Sequence, residues 1–157
     1  MFDFNYSNVV VGVDGSKASD RAFKKAMIIA EHNQARLAVI AVINDRDVLG
    51  VNKGASIGFG AVNPTAVENL KVQIQSMVSN YVEIAKDRGL NAVGAIDYGD
   101  PREILTSTAL SDYHADALVV GATGAGIVSR LTMGSTAAYV VTHSPVDVFV
   151  VRTDQKL

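Results

Sequence analysis

A glycine-rich stretch, residues 121–136, holds the residue types in this chain that are best suited to bind an anion. It follows the apolar run Ala117-Leu118-Val119-Val120, which is typical of a buried strand, and precedes Ala137-Ala138-Tyr139-Val140-Val141, which predicts a helix. Glycines at such a junction let backbone N–H groups approach a ligand without an intervening Cβ. The helix N-terminus adds unpaired donors and the positive end of a dipole. Because Ser135 and Thr136 place hydroxyls beside those donors, we expect the ligand to carry a phosphate.

The spacing within this stretch differs from that of the commonest phosphate-binding motifs. Two residues separate Gly121 from Gly124, and nine separate Gly124 from Gly134, which Ser135 follows. A P-loop requires Gly-Lys-Ser/Thr, and the dinucleotide fingerprint is more compact. The pattern G-x2-G-x9-G-[S/T] resembles the signature of the nucleotide-binding branch of the universal stress protein family.

The resemblance extends over nearly the whole chain. It includes Val-Val-Val-Gly-Val-Asp-Gly-Ser at residues 9–16 and Ser-Pro-Val-Asp-Val-Phe-Val-Val-Arg at residues 144–152. It implies a flavodoxin-like or Rossmann-like α/β fold with strand order 3-2-1-4-5, in a single nucleotide-binding domain over residues 1–157. It also implies an ATP-binding stress-response sensor or interaction module with at most slow ATP hydrolysis.

The same resemblance implies a set of nucleotide contacts. An acidic residue lies at the nucleoside in the family and matches Asp14, whose other interpretation is a cap of the first helix together with Ser16. A main-chain contact to adenine is expected at Val42, with Ala41 or Ile43 as alternative matches and a plain core valine as the other interpretation. Arg130 is either a phosphate-binding cation or an exposed arginine without a ligand. The expected contacts are Gly12, Val13, Asp14, Val42, Val120, Gly121, Gly124, Ser129, Arg130, Gly134, Ser135 and Thr136.

The expected ligand is ATP or another adenine nucleotide, with a hydrated Mg²⁺ carried by the triphosphate. No catalytic residue and no metal-ligating residue is expected in the chain itself. The three histidines, His32, His114 and His143, have no metal-ligand spacing, and His143 is explained by its position at a helix C-terminus.

The elements that position these residues alternate along the chain. Strands are predicted at residues 8–13, 36–43, 91–97, 115–120 and 146–151. Between them, helices are predicted from the alanine repeat at residues 18–30, after Pro64, after Asp100 and at residues 135–143. This alternation predicts a doubly wound parallel sheet with helices on both faces. Such sheets bind ligands at the carboxyl ends of the strands where the strand order reverses, so Asp14 and Gly121 should meet there.

A long irregular stretch at residues 44–62 contains four glycines and shows no periodicity. A connection of this length in a compact domain is usually functional or disordered. We therefore expect it to be mobile without ligand and to order partly over the nucleotide or a partner.

Composition excludes several classes of function. The chain has 157 residues, of which 48% are apolar, with a net charge of -2 and no cysteine. A nucleic-acid-binding protein would show a clustered basic surplus, and a disulfide framework or a zinc–thiolate site would need cysteine. Because no signal peptide or membrane-spanning run is evident, we expect a soluble cytoplasmic protein that binds neither nucleic acid nor membrane.

Two enzymatic or signalling alternatives share this architecture. The related adenine-nucleotide hydrolases and ligases have a Ser-Gly-Gly phosphate loop after the first strand, where this chain has Val13-Asp14-Gly15-Ser16. A phospho-receiver domain needs an acidic pair after the first strand and a lysine after the fifth, where this chain has Asp14 alone and Arg152-Thr153. The hydrolase or ligase remains the alternative to a binding module.

The last strand predicts a homodimer. Residues 146–151 are rich in valine and contain no proline, and the implied strand order places them at a sheet edge. Universal stress proteins often pair through their last strands across a two-fold axis, which closes the interface. The alternatives to ATP within the expected ligand class are ADP, AMP and a cyclic dinucleotide.

Overall fold

The computed structural model describes residues 4–44, 64–123 and 133–152. The strands are β1 (Asn8–Val13), β2 (Arg36–Ile43), β3 (Ala92–Tyr98), β4 (Ala117–Gly121) and β5 (Asp147–Val151). The helices of the described residues are α1 (Lys17–Asn33), α2 (Pro64–Asp87), α3 (Pro101–Thr106), α4 (Thr108–Asp112) and α5 (Ser135–His143). The strands form one parallel sheet in the order β3-β2-β1-β4-β5, so the predicted fold and strand order are confirmed.

The first helix shows how the local sequence builds an element. The Ser16 hydroxyl accepts a hydrogen bond from the Ser19 N–H at 3.1 Å and caps the helix. The helix ends where Gln34 adopts φ 54° and closes the last turn with its own N–H. The four alanines of the repeat that predicted this helix are all buried, which lets the helix approach the sheet closely: Ala18, Ala22, Ala26 and Ala30.

Helices cover both faces of the sheet. On one face, α1 and α2 enclose a core in which Phe23 and Leu37 are among the largest fully buried side chains. On the other face, α3, α4 and α5 pack against Ile40 and Leu118. The central strands are buried on both faces and therefore consist of nearly continuous apolar residues.

The pairing register opens the sheet at the switch between β1 and β4. The β1–β4 ladder ends at Val11 opposite Val119. The β1–β2 ladder continues to Val13 opposite Ala41, and the β4–β5 ladder continues to Gly121 opposite Val151. Beyond this pair of residues, β1 pairs only with β2, and β4 pairs only with β5. The carboxyl ends of β1 and β4 therefore separate, and a crevice lies between them.

Apart from one-residue shifts at the ends of β3 and β5, the structure alters two of the predicted elements. The helix predicted after Asp100 is two short helices, because the chain turns at Ser107, whose φ of -134° and ψ of -83° are not helical. The fourth strand begins at Ala117 and includes Gly121, so this glycine belongs to the sheet and not to the loop. The expected mobility of residues 44–62 concerns residues that, apart from Asn44, lie outside the described part of the chain.

Candidate functional site

A cavity of about 610 Å³ lies at the carboxyl ends of β1, β2 and β4. Nine of the residues predicted from the sequence line it: Gly12, Val13, Asp14, Val42, Val120, Gly121, Gly134, Ser135 and Thr136. The other three, Gly124, Ser129 and Arg130, lie outside the described residues. The fold thus brings the end of the first strand and the two ends of the glycine-rich stretch around one space.

The loop between β1 and α1 holds Asp14 in a fixed orientation at the cavity. Its Oδ1 accepts a hydrogen bond from the Ser16 N–H at 2.9 Å, and its own N–H donates to the Ser19 hydroxyl at 3.2 Å. Gly15, between them, has φ +83°, which favours glycine. The alternative interpretation of Asp14 as a helix cap is therefore confirmed only in part, because Ser16 is the cap of α1 and Asp14 accepts from the N–H of that cap residue. Within the described residues its second carboxylate oxygen accepts no hydrogen bond, so it remains available to a ligand.

The start of α5 presents backbone donors to the cavity. Gly134 is the N-cap, and because it has no side chain it makes no side-chain cap bond. The N–H groups of Ser135, Thr136 and Ala137, all lining the cavity, have no carbonyl partner within the helix. The Gly134 N–H is different, because it donates to the Ala122 carbonyl at 2.7 Å. This bond joins the end of β4 directly to the start of α5.

The two strand-end glycines have a packing role. A Cβ on Gly121 would lie 2.7 Å from both the carbonyl carbon and the Cβ of Ala18, in the first turn of α1. A Cβ on Gly12 would lie 2.9 Å from a terminal methyl of Leu105. The reason expected for Gly121, room for an anion, is therefore incomplete, since the close approach of α1 to β4 already requires glycine there.

The sequence did not single out the wall that α2 contributes to the cavity. This wall consists of Leu70, Gln73, Ile74 and Met77, and the Met77 sulfur would lie 3.6 Å from a Cβ on Gly15. Leu70, Ile74 and Met77 repeat at helical spacing in the sequence, which predicts an apolar helix face but gives no sign that this face borders a cavity. The buried residues of α2 all lie further along, at Val78, Tyr81 and Ala85.

The cavity lining also includes residues next to the predicted contacts. Both alternative matches for the adenine contact, Ala41 and Ile43, line the cavity beside Val42. The remaining lining residues are Gly15, Ser19, Ile40, Asn44, Pro101, Leu105, Ala122, Thr123 and Ala137. Most are small or apolar, and only their position at strand and helix ends distinguishes them from core residues.

Charge in the described lining is confined to Asp14, the only ionisable side chain there. Beneath the α2 wall, burial raises the pKa of Tyr81 to about 12, with the carboxylate of Asp20 adding to the effect and that of Asp14 contributing less. The Tyr81 hydroxyl donates to Asp20 at 3.2 Å. Among the residues that the structure describes, no group of three or more histidine, cysteine or acidic side chains could hold a metal ion.

Comparison with known proteins identifies relatives over almost the entire chain. The model of the universal stress protein family matches residues 5–152. A relative from Staphylococcus saprophyticus, assigned to the universal stress proteins, is 30% identical over 151 residues, which is 96% of this chain and 86% of that protein.

Solved structures of similar proteins share the fold. The universal stress protein UspA from Lactobacillus plantarum superposes with a TM-score of 0.80 at 28% identity, covering 96% of this chain and all of that one. A universal stress protein crystallised in complex with cAMP superposes with a TM-score of 0.68 at 26% identity, covering 96% of this chain and 99% of its own. In the part of this chain that the structure describes, the helices are too short or too polar to cross a membrane.

Proposed function

This chain belongs to the universal stress protein family, and we propose that it binds an adenine nucleotide in the cavity between β1 and β4. The observation that carries the proposal is this cavity, which joins a fixed carboxylate at Asp14 to the unpaired N–H groups at the start of α5. Its volume of about 610 Å³ falls within the range of small-molecule sites.

The two ends of the cavity differ in chemistry. The N-terminus of α5 offers backbone donors, the hydroxyls of Ser135 and Thr136 and the positive end of a helix dipole, which suit a phosphate. Asp14 offers a carboxylate oxygen to a ribose hydroxyl or an adenine amine. Gly124, Ser129 and Arg130 complete the proposed contact set.

ATP with Mg²⁺ is the proposed ligand within this class. The support is the motif G-x2-G-x9-G-[S/T] in the sequence and the related protein that binds cAMP, which is also an adenine nucleotide. The chain therefore belongs, in this proposal, to the nucleotide-binding branch of its family. Mg²⁺ would arrive on the triphosphate, where phosphate oxygens and water supply its ligands.

The proposed activity is binding and signalling, with slow hydrolysis at most. Asp14 is the only ionisable side chain in the described lining, and the proposal assigns its available carboxylate oxygen to the nucleoside, away from the phosphates. A base that activates water must lie within hydrogen-bond reach of it. A nucleotide hydrolase or ligase is therefore less favoured than a module whose surface changes with the bound nucleotide in the cytoplasm.

A homodimer through residues 146–151 is part of the proposal. In β5, which lies at the sheet edge, Val148 to Val151 are only half-buried. Two helices of the described residues that contact β5 also expose apolar side chains, with 42% of Ile28 and 51% of Val141 accessible. A second copy that pairs with this edge would cover these groups and satisfy the free backbone groups of β5.

The proposed nucleotide site is tested by a single glycine substitution. Gly134 has φ -62° and ψ 158°, a backbone conformation that any residue adopts, so Gly134→Val adds a side chain at the cavity without backbone strain. We expect it to weaken ATP binding by more than about tenfold, ~1.4 kcal/mol, in calorimetry with Mg²⁺.

The matched control is Ala138→Val on the same helix, at an exposed position outside the cavity lining. This variant should bind ATP like the wild type. No binding by the wild type, or equal affinities for the wild type and a folded Gly134→Val variant, contradicts the proposed site.

A further inference from the structure

The position of α5 indicates which end of the cavity would hold the phosphate and which end would hold the base. In the sheet order β3-β2-β1-β4-β5, α2 packs on β2 and β3, whereas α5 packs on β5 and against α3. A phosphate at the N-terminus of α5 therefore leaves the rest of a nucleotide to extend towards β2 and α2. The distance from β4 to β2 is two strand spacings, about 10 Å, which a nucleoside with its first phosphate spans.

The wall at this opposite end has one polar position. Leu70, Gln73, Ile74 and Met77 are spaced i, i+3, i+4 and i+7 and so lie on one face of α2. Three of the four are apolar and offer a surface for a flat, uncharged ring. Gln73 interrupts this apolar face with an amide at the rim of the cavity.

The amide of Gln73 is available to a ligand. Its side chain makes no hydrogen bond to any residue that the structure describes. The other polar side chains of the described lining on this side are already engaged, since Ser19 bonds within the β1–α1 loop and Asn44 has an interaction of its own.

We infer that Gln73 is a specificity residue that recognises the edge of the base and favours adenine over guanine. An amide carries a donor and an acceptor side by side, and the adenine edge presents an acceptor at N7 beside a donor at N6. Guanine presents two acceptors there, O6 and N7, so a glutamine satisfies one of them and leaves its carbonyl oxygen opposite the other. This inference rests on the proposed nucleotide site and adds to it a residue outside the glycine motif.

The test measures the ratio of ATP affinity to GTP affinity, because effects on phosphate binding or folding cancel in that ratio. Gln73→Leu is one bond shorter and has no hydrogen-bonding group, and should lower the ratio by roughly 3- to 10-fold. Gln73→Lys offers donors only, which match the two acceptors of guanine, and should move the ratio further towards GTP.

The chain offers a matched control in Gln75, an exposed glutamine on the same helix that does not line the cavity. Gln75→Leu should leave the ratio unchanged. Calorimetry with Mg²⁺ gives both affinities for each variant, and circular dichroism checks that each is folded.

The outcomes separate this inference from the proposed function. A loss of ATP preference in Gln73→Leu, with Gln75→Leu unchanged, supports the role of Gln73. A wild type that binds both nucleotides equally, or a Gln73→Leu variant that keeps the wild-type preference, overturns it and leaves the nucleotide site standing. A wild type that binds neither nucleotide overturns both.

Discussion

Substituting alanine at Gly121 tests whether the close packing of α1 on β4 is what requires glycine there. An added Cβ would lie 2.7 Å from the carbonyl carbon and the Cβ of Ala18 and 3.0 Å from its carbonyl oxygen. Ordinary van der Waals contact begins at 3.4 Å, so the first turn of α1 would have to move away by about 0.7 Å. Two of these three atoms belong to the backbone, which cannot escape by changing a rotamer.

The size of the effect follows from this geometry. Adding a methyl group to a tightly packed interior costs about 1–3 kcal/mol of unfolding free energy. At about 2–4 °C per kcal/mol for a chain of this length, Gly121→Ala should lower the Tm by roughly 2–12 °C. It should also weaken ATP binding, because the first turn of α1 follows the loop that carries Asp14.

A second strand-end glycine provides the comparison. A Cβ on Gly12 would meet only terminal atoms of the Leu105 side chain, at 2.9 Å and 3.3 Å, and that side chain can rotate. Gly12→Ala should therefore cost less than about 1 kcal/mol. Urea unfolding followed by circular dichroism measures both variants. Close packing of α1 is not what requires glycine at position 121 if the free energy of unfolding of Gly121→Ala lies within about 0.5 kcal/mol of the wild type. The same holds if Gly12→Ala loses as much unfolding free energy as Gly121→Ala.

Two further predictions concern the dimer and the pH dependence of stability. The Val151 carbonyl accepts from the Ala122 N–H on the β4 side, so the N–H of the neighbouring residue Val150 points to the free edge of β5. Val150→Pro should therefore keep the sheet but give a monomer in sedimentation at micromolar concentration. The control Val150→Ala should remain dimeric. A folded, dimeric Val150→Pro variant would exclude β5 as the interface. The pKa of Tyr81, raised from 10.0 to about 12, means that its contribution to stability is complete below pH 10 and is lost as the pH rises from 10 to 12. The loss of unfolding free energy between about pH 9 and about pH 11, measured by urea unfolding, should be smaller for Tyr81→Phe than for the wild type. Equal losses would contradict this role of Tyr81.

Much of the fold follows from patterns that are local in the chain. Runs of β-branched residues alternate with helical repeats, and this alternation alone predicts a parallel sheet covered on both faces. The order of the strands came from the resemblance to a family, and the pairing register confirms it. Helix starts were also predictable, because a cap such as Ser16 acts within one turn of its own helix.

The single helix predicted after Asp100 was wrong for a physical reason. Proline at the first position and the Asp100 cap define the start correctly, and Asp100 accepts from the Arg102 N–H at 2.9 Å. The break at Ser107 has no glycine or proline to mark it. There the Ser107 hydroxyl donates to the Glu103 carbonyl, and helix propensity alone does not predict that the backbone leaves the helix.

The sequence by itself determined which residues lie at the carboxyl ends of β1 and β4, because strand ends and motif positions are fixed along the chain. Only the tertiary structure decided that α2 turns the face with Gln73 towards the same cavity and that Gly121 packs against Ala18. Both depend on where one helix lies relative to a strand that is distant in sequence. Apolar periodicity tells which side of a helix avoids water, but whether that side meets a packed core or a cavity is set by distances between elements, which no local pattern contains.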